Sequence, residues 1–159
     1  MTQRLVNQIH KTLIKNSKTV AVAESCTGGL LSALLTRSPG SSRYFILGLV
    51  TYSNQMKNKV LRVPIRLIER KGAVSREVAL LMAESARKLS GADFGVSITG
   101  IAGPTGGSPR KPLGTVFIAV DSKENQALRK FCFRGNRGQV RNRAALKALE
   151  MLYESIHSD

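Results

Sequence analysis

Apolar residues at Leu5, Ile9 and Leu13, with Val6 and Ile14 beside them, repeat close to every 3.6 positions and predict an amphipathic helix over 2–16, opening after Thr2. The run KTVAVA (18–23) is short and β-branched, and predicts a strand. It stops at Glu24, passes through Ser25-Cys26-Thr27-Gly28-Gly29 and resumes as LLSALLTR, so a strand-to-helix turn is expected there; Ser38-Pro39-Gly40 ends that helix. YFILGLVTY (44–52) is apolar almost throughout and reads as a strand buried on both faces. Ser53 or Asn54 is placed to cap a helix that runs through Val60 and carries Lys57, and Pro64 starts a shorter one ending at Gly72.

Ser75 with Glu77 opens a long helix whose inner face is expected at Val78, Leu81, Met82, Ser85 and Leu89, with Gly91 as its stop. FGVSIT (94–99) predicts another buried strand, followed by the glycine-rich and proline-rich loop 100–114. Strands over 115–120 and 128–133 flank the polar turn DSKEN, and a last helix over 138–157 turns Val140, Ala144, Leu146, Leu149 and Leu152 inward. Helices that alternate with buried strands, and a final strand pair close enough to be antiparallel, predict a three-layer α/β/α sandwich on a mixed, mostly parallel sheet. With 159 residues and no repeat, tract or linker, a single domain over 1–159 is expected.

Charge changes the picture most. Lys and Arg number 25 against 10 acidic residues, for a formal charge of +15, which favours anionic partners: nucleic acid, phosphorylated metabolites or acidic surfaces. The bias thickens toward the C-terminus at Arg129, Lys130, Arg134, Arg137, Arg141, Arg143 and Lys147, either as a solvated basic face or as a contact surface. Nucleic-acid binding through it is not favoured, because the chain has no Trp, only three Tyr and no recognisable module. No apolar stretch reaches the roughly 18 to 20 residues of a membrane helix, and the first residues lack the apolar core of a secretory signal, so a cytoplasmic protein without membrane partners is expected. Cys26 and Cys132 match no zinc or CxxC spacing and are expected to be free thiols.

Three unusual stretches fall at predicted strand ends, where ligands collect in open α/β sheets: Glu24 to Gly29, Thr51 to Asn54 with Lys57, and the loop from Thr99 to Gly114. Gly28 and Gly29 leave backbone amides uncovered for a phosphate or an oxyanion; the alternative is a helix cap by Thr27 with glycines for close packing. Neither a Walker A sequence nor GxGxxG is present, so nucleoside triphosphate hydrolysis is poorly supported. The two histidines, His10 and His157, lie in terminal helices, which leaves Cys-His and Ser-His-Asp arrangements without a base. Ser25 with a lysine base is the economical remainder. Lys57 is the candidate, with Tyr52 relaying or orienting the proton, against the plain alternative of a solvent lysine.

The segments AESCTGGLL, GLVTYSNQMK, GAVSREVA and TGIAGPTGGSPRKPLGTVFIAV together resemble the C-terminal domain of the competence/damage-inducible protein CinA, also found as a stand-alone nicotinamide-nucleotide amidase. The resemblance implies an α/β/α sandwich, often a homo-oligomer, that deamidates nicotinamide mononucleotide to nicotinic acid mononucleotide and ammonia in pyridine nucleotide recycling, with no metal or organic cofactor. It maps the catalytic roles onto Ser25, Tyr52 and Lys57. Thr27, Gly28 and Gly29 fall where the turn would hold an anion, and Asn54, Thr99, Gly100, Gly103 and the loop beyond them where the substrate would be enclosed. Arg141 or Arg137 is then a candidate partner for the substrate phosphate. Larger relatives carry an N-terminal molybdopterin-binding-like domain, whose chemistry is expected to be absent from this chain. The chain departs from the pattern at Gln55 and at Gly135-Asn136-Arg137, where relatives commonly have an acidic residue and GDR. The reading from another class is a retired family member that binds nucleic acid or a partner through its basic surface; a further one is an amidase acting on another small amide.

Overall fold

In the computed structural model, which describes residues 2–158, alternation along one strand sorts the molecule into layers. Strand β1 (Val20–Glu24) turns Val20 and Val22 to one face of the sheet and Ala21 and Ala23 to the other, all fully buried. The first face is covered by α1 (Thr2–Lys15), α2 (Leu30–Leu35) and α6 (Arg137–Ser158), through Ile9, Leu13, Leu31, Leu35 and Leu149. The second is covered by α3 (Asn54–Leu61), α4 (Ile65–Lys71) and α5 (Arg76–Ser90), through Leu61, Ile68, Val78 and Met82.

The sheet runs β2 (Phe45–Val50), β1, β3 (Phe94–Gly100), β4 (Thr115–Asp121), β5 (Gln126–Cys132). β1 is parallel to both neighbours, whereas β4 is antiparallel to β3 and to β5. This is the mixed α/β/α sandwich that the periodicities predict. Because the chain leaves β1 toward β2 on one face and returns to β3 over the other, the carboxyl end of β1 lies at a switch point, where loops diverge and leave a crevice.

Several local expectations are corrected. β2 is an edge strand, not one buried on both faces: its residues alternate between half-buried and exposed, with Ile46 and Val50 47% and 49% exposed. The inner face of α5 is Val78, Ala79, Met82, Ala83 and Ala86; Leu81 and Ser85 are only half-buried, and Leu89 is exposed. The cause is close approach, since a methyl group at Gly95 on β3 would lie 2.0 Å from the Ala83 carbonyl oxygen, leaving room there for alanine alone. Leu146 is likewise half-buried, and β5 starts two residues earlier than its apolar run. Ser75 does not cap α5 with its side chain; its hydroxyl is turned to the Gly72 carbonyl, to which it donates at 2.9 Å. Both cysteines are free, Cys26 buried and Cys132 exposed, and no described helix is long and apolar enough to cross a membrane.

Candidate active site

The loops after β1, β2 and β3 converge with the start of α6 around a cavity of about 280 Å³. Ser25 continues the line of β1, its N–H donating to the Ile98 carbonyl at 3.0 Å, which fixes the residue at the cavity floor. From the neighbouring crossover, Ser53 caps α3 by accepting the Met56 N–H at 3.1 Å, and one turn on, Lys57 points back under the strand ends. The Lys57 side chain is 1% exposed. Its Nζ donates to the Thr51 carbonyl at 2.7 Å, to the Tyr52 carbonyl at 3.3 Å and to Ser25 Oγ at 2.9 Å.

No carboxylate pairs with this amine among the described residues. Burial therefore dominates and lowers the Lys57 pKa to about 8. Once a proton leaves, two N–H bonds remain for the two carbonyls and the lone pair is directed to the serine hydroxyl. That is the geometry of a general base poised on a nucleophile. Cys26 lines the same cavity, but burial pushes its thiol up to about 11, so it is protonated at neutral pH and a poor nucleophile beside an activated serine.

The turn after Ser25 is held from both sides. Gly28 N–H donates to the Ser25 carbonyl at 3.1 Å. Outside, Arg141 donates from Nη2 and Nε to the Thr27 carbonyl at 2.7 and 3.3 Å. Inside, the wholly buried Glu24 carboxylate accepts the N–H groups of Gly29 and Leu31 at 3.1 Å each, and the Ser32 N–H and hydroxyl at 2.8 and 2.7 Å. The N–H groups of Cys26 and Thr27, next to Ser25, donate to no oxygen among the described residues, and that of Cys26 faces its own sulfur.

Arg137 crosses the cavity mouth. Its Nη2 donates to Tyr52 Oη at 2.8 Å and its Nη1 to the Gly103 carbonyl at 2.9 Å, clipping the loops after β2 and β3 to the start of α6. It opens α6 behind a reciprocal cap: Asn136 N–H donates to Gln139 Oε1 at 2.9 Å, and Gln139 N–H to Asn136 Oδ1 at 3.0 Å. An amide oxygen thus fills the cap that the GDR pattern would give to a carboxylate. On the far wall, Thr99 Oγ1 donates to the Ala73 carbonyl at 2.9 Å, tying β3 to the segment before α5.

Of the residues singled out from sequence, Ser25, Tyr52, Asn54, Lys57, Thr99, Gly100 and Gly103 line the cavity. Thr27, Gly28, Gly29 and Arg141 are not among its lining residues: the Thr27 side chain is in the core, and the other three build the turn behind the nucleophile. Tyr52 reaches Lys57 through its carbonyl, while its hydroxyl is bonded to Arg137, so its contacts fit orientation and not proton relay. Sequence reasoning missed Glu24 and the Arg137 clip. The signal for Glu24 was an acid directly after four small apolar strand residues, where nothing but internal donors can satisfy it.

The family model for the CinA C-terminal domain matches residues 2–156. A CinA-like protein of Geotalea daltonii is 52% identical over 142 residues, which is 89% of this chain and 34% of that protein; the chain spans about a third of the length of that curated relative. Among solved structures, the competence/damage inducible protein CihA of Agrobacterium tumefaciens is 38% identical with a TM-score of 0.95, over 98% of this chain and 95% of that one. A CinA superfamily protein of Klebsiella pneumoniae is 31% identical with the same TM-score of 0.95, over 100% and 99% of the two chains.

Proposed function

The chain belongs to the CinA C-terminal domain family, and on that premise we propose that it is a serine–lysine amidohydrolase whose substrate is nicotinamide mononucleotide. The observation that carries the reading is the 2.9 Å contact between a buried, carboxylate-free amine and the Ser25 hydroxyl. A buried lysine costs stability in its charged form, so its retention beneath a serine fits use as a base.

Neutral Lys57 takes the Ser25 proton as Oγ attacks the carboxamide carbon. The N–H groups of Cys26 and Thr27 are the candidate donors to the oxyanion of the tetrahedral intermediate. The ammonium of Lys57 then protonates the departing nitrogen, which leaves as ammonia, and water hydrolyses the seryl ester with Lys57 again as base. Among the described residues the cations lining the cavity are Lys57 and Arg137, and no acidic side chain lines it, which favours a neutral or anionic substrate. Arg137 is the group available to a 5′-phosphate, exchanging its bonds to Tyr52 and Gly103 for a charge-assisted pair.

The test is ammonia release from a panel of pyridine nucleotides and nucleosides, with and without the 5′-phosphate. Turnover of nicotinamide mononucleotide is expected, falling by roughly three or more orders of magnitude in Ser25→Ala and Lys57→Ala. Undiminished turnover in either variant overturns the mechanism, and turnover of a different amide alone reassigns the substrate.

A further inference from the structure

Glu24 is 0% exposed, and a buried carboxylate is tolerated only when its oxygens are bonded. Both are, and no lysine or arginine supplies the bonds: three backbone amides and one hydroxyl from residues 29–32 do. These contacts close a small loop from residue 24 onto residues 29–32, with 25–28 as the span between. The span holds the Ser25 nucleophile and the N–H groups of Cys26 and Thr27, which donate to no oxygen among the described residues.

We infer that Glu24 is a positioning residue: a resident anion that consumes the amides of Gly29, Leu31 and Ser32 and so holds the Ser25 hydroxyl and the amides of Cys26 and Thr27 in one fixed arrangement. The inference rests on the serine–lysine reading of the site. Its first consequence is that the glycine turn is not open to a substrate phosphate at residues 29–32, because the chain's own carboxylate is already there. Its second is that charge and reach both matter. Glu24→Gln turns an amide NH₂ against N–H donors, and Glu24→Asp shortens the side chain by one methylene.

The experiment reads serine reactivity independently of the natural substrate. With a fluorophosphonate probe, Ser25 Oγ bonds to phosphorus, the P–F bond breaks, fluoride leaves and Lys57 takes the hydroxyl proton; labelling is followed by intact mass. Glu24→Ala and Glu24→Gln, shown to be folded by near-ultraviolet circular dichroism, are expected to label roughly 10²-fold more slowly than wild type. Sodium formate should restore Glu24→Ala saturably by tenfold or more, by supplying the missing carboxylate, whereas sodium chloride at equal concentration should not. Formate should do nothing for Glu24→Gln, whose side chain fills the space.

Wild-type labelling rates in folded Glu24→Ala overturn the inference, and so does a slowed variant that formate does not rescue, since lost packing alone then explains it. Should neither Glu24 variant fold, Ser32→Ala, which removes one donor and keeps the carboxylate, is expected to label several-fold more slowly; an unchanged rate overturns the inference. If wild-type Ser25 resists the probe, the serine–lysine reading itself falls and takes this inference with it. A labelled wild type beside an unaffected Glu24→Ala removes only the role of Glu24.

Discussion

A lysine with a pKa of about 8 in the folded chain and about 10.5 when unfolded leaves one signature in rate and another in stability. At pH 7 about a tenth of the amine is free base, so kcat/KM should rise nearly tenfold between pH 6 and 7 and level off above a limb near pH 8. For stability, below pH 8 both states hold the proton, and the full cost of the buried charge, about 3 kcal/mol at 1.36 kcal/mol per pKa unit, is present. Between pH 8 and 10.5 the unfolded chain binds more protons than the folded one, so wild-type stability rises with pH there. Lys57→Met removes this dependence and leaves the Thr51 and Tyr52 carbonyls unpaired, a roughly constant loss. Urea unfolding of both proteins at half-unit steps should therefore show the stability difference, Lys57→Met minus wild type, falling by about 2 to 3 kcal/mol from pH 7 to 10. A difference that stays flat over that range, or a kinetic limb near pH 10, refutes the account of Lys57 as a base depressed by burial.

Other outcomes follow from particular contacts. Gly95→Ala drives a methyl group into the Ala83 carbonyl and should cost more than about 3 kcal/mol in urea unfolding, without changing the pH limb of any activity that survives. Arg87→Met leaves Asp121, 2% exposed, with the Gln126 amide as its remaining side-chain donor in place of the 2.5 Å ion pair; a loss of about 3 kcal/mol is expected by the same measurement. Asn136→Ala should cost about 1 kcal/mol as a lost helix cap and, by loosening Arg137, raise KM for the phosphorylated substrate more than for its nucleoside. Asn136→Asp should match wild type in both readings.

The pairing of Ser25 with Lys57 was legible because each sits beside a strong local marker, a glycine turn and a capped helix start, and because open α/β sheets bring such ends together. The role of β2 was not. FILGLV reads as a buried strand, and only the sheet order, a non-local property, puts it at an edge with Ile46 and Val50 outward. For α5, hydrophobicity pointed to Leu89, yet contact distance decided the inner face: an absent side chain at Gly95, on a strand whose approach no helix pattern reveals, lets β3 close on the helix at Ala83. The glycine turn admits a cradle for a foreign anion or a helix cap by Thr27; burial of Glu24 at the strand end implies internal donors, but that these are the amides of Gly29, Leu31 and Ser32 depends on a χ choice no spacing encodes.

β2 has a single neighbour, and its carboxyl end delivers Thr51, Tyr52 and, through α3, the Lys57 amine. Such margins fray first, at a free-energy cost below that of global unfolding. The proposed base therefore depends on an edge strip of the sheet, while the proposed nucleophile follows a strand paired on both sides. Mild denaturant should separate them early, so that inactivation precedes loss of ellipticity and amide exchange over 45–50 tracks the inactivation curve.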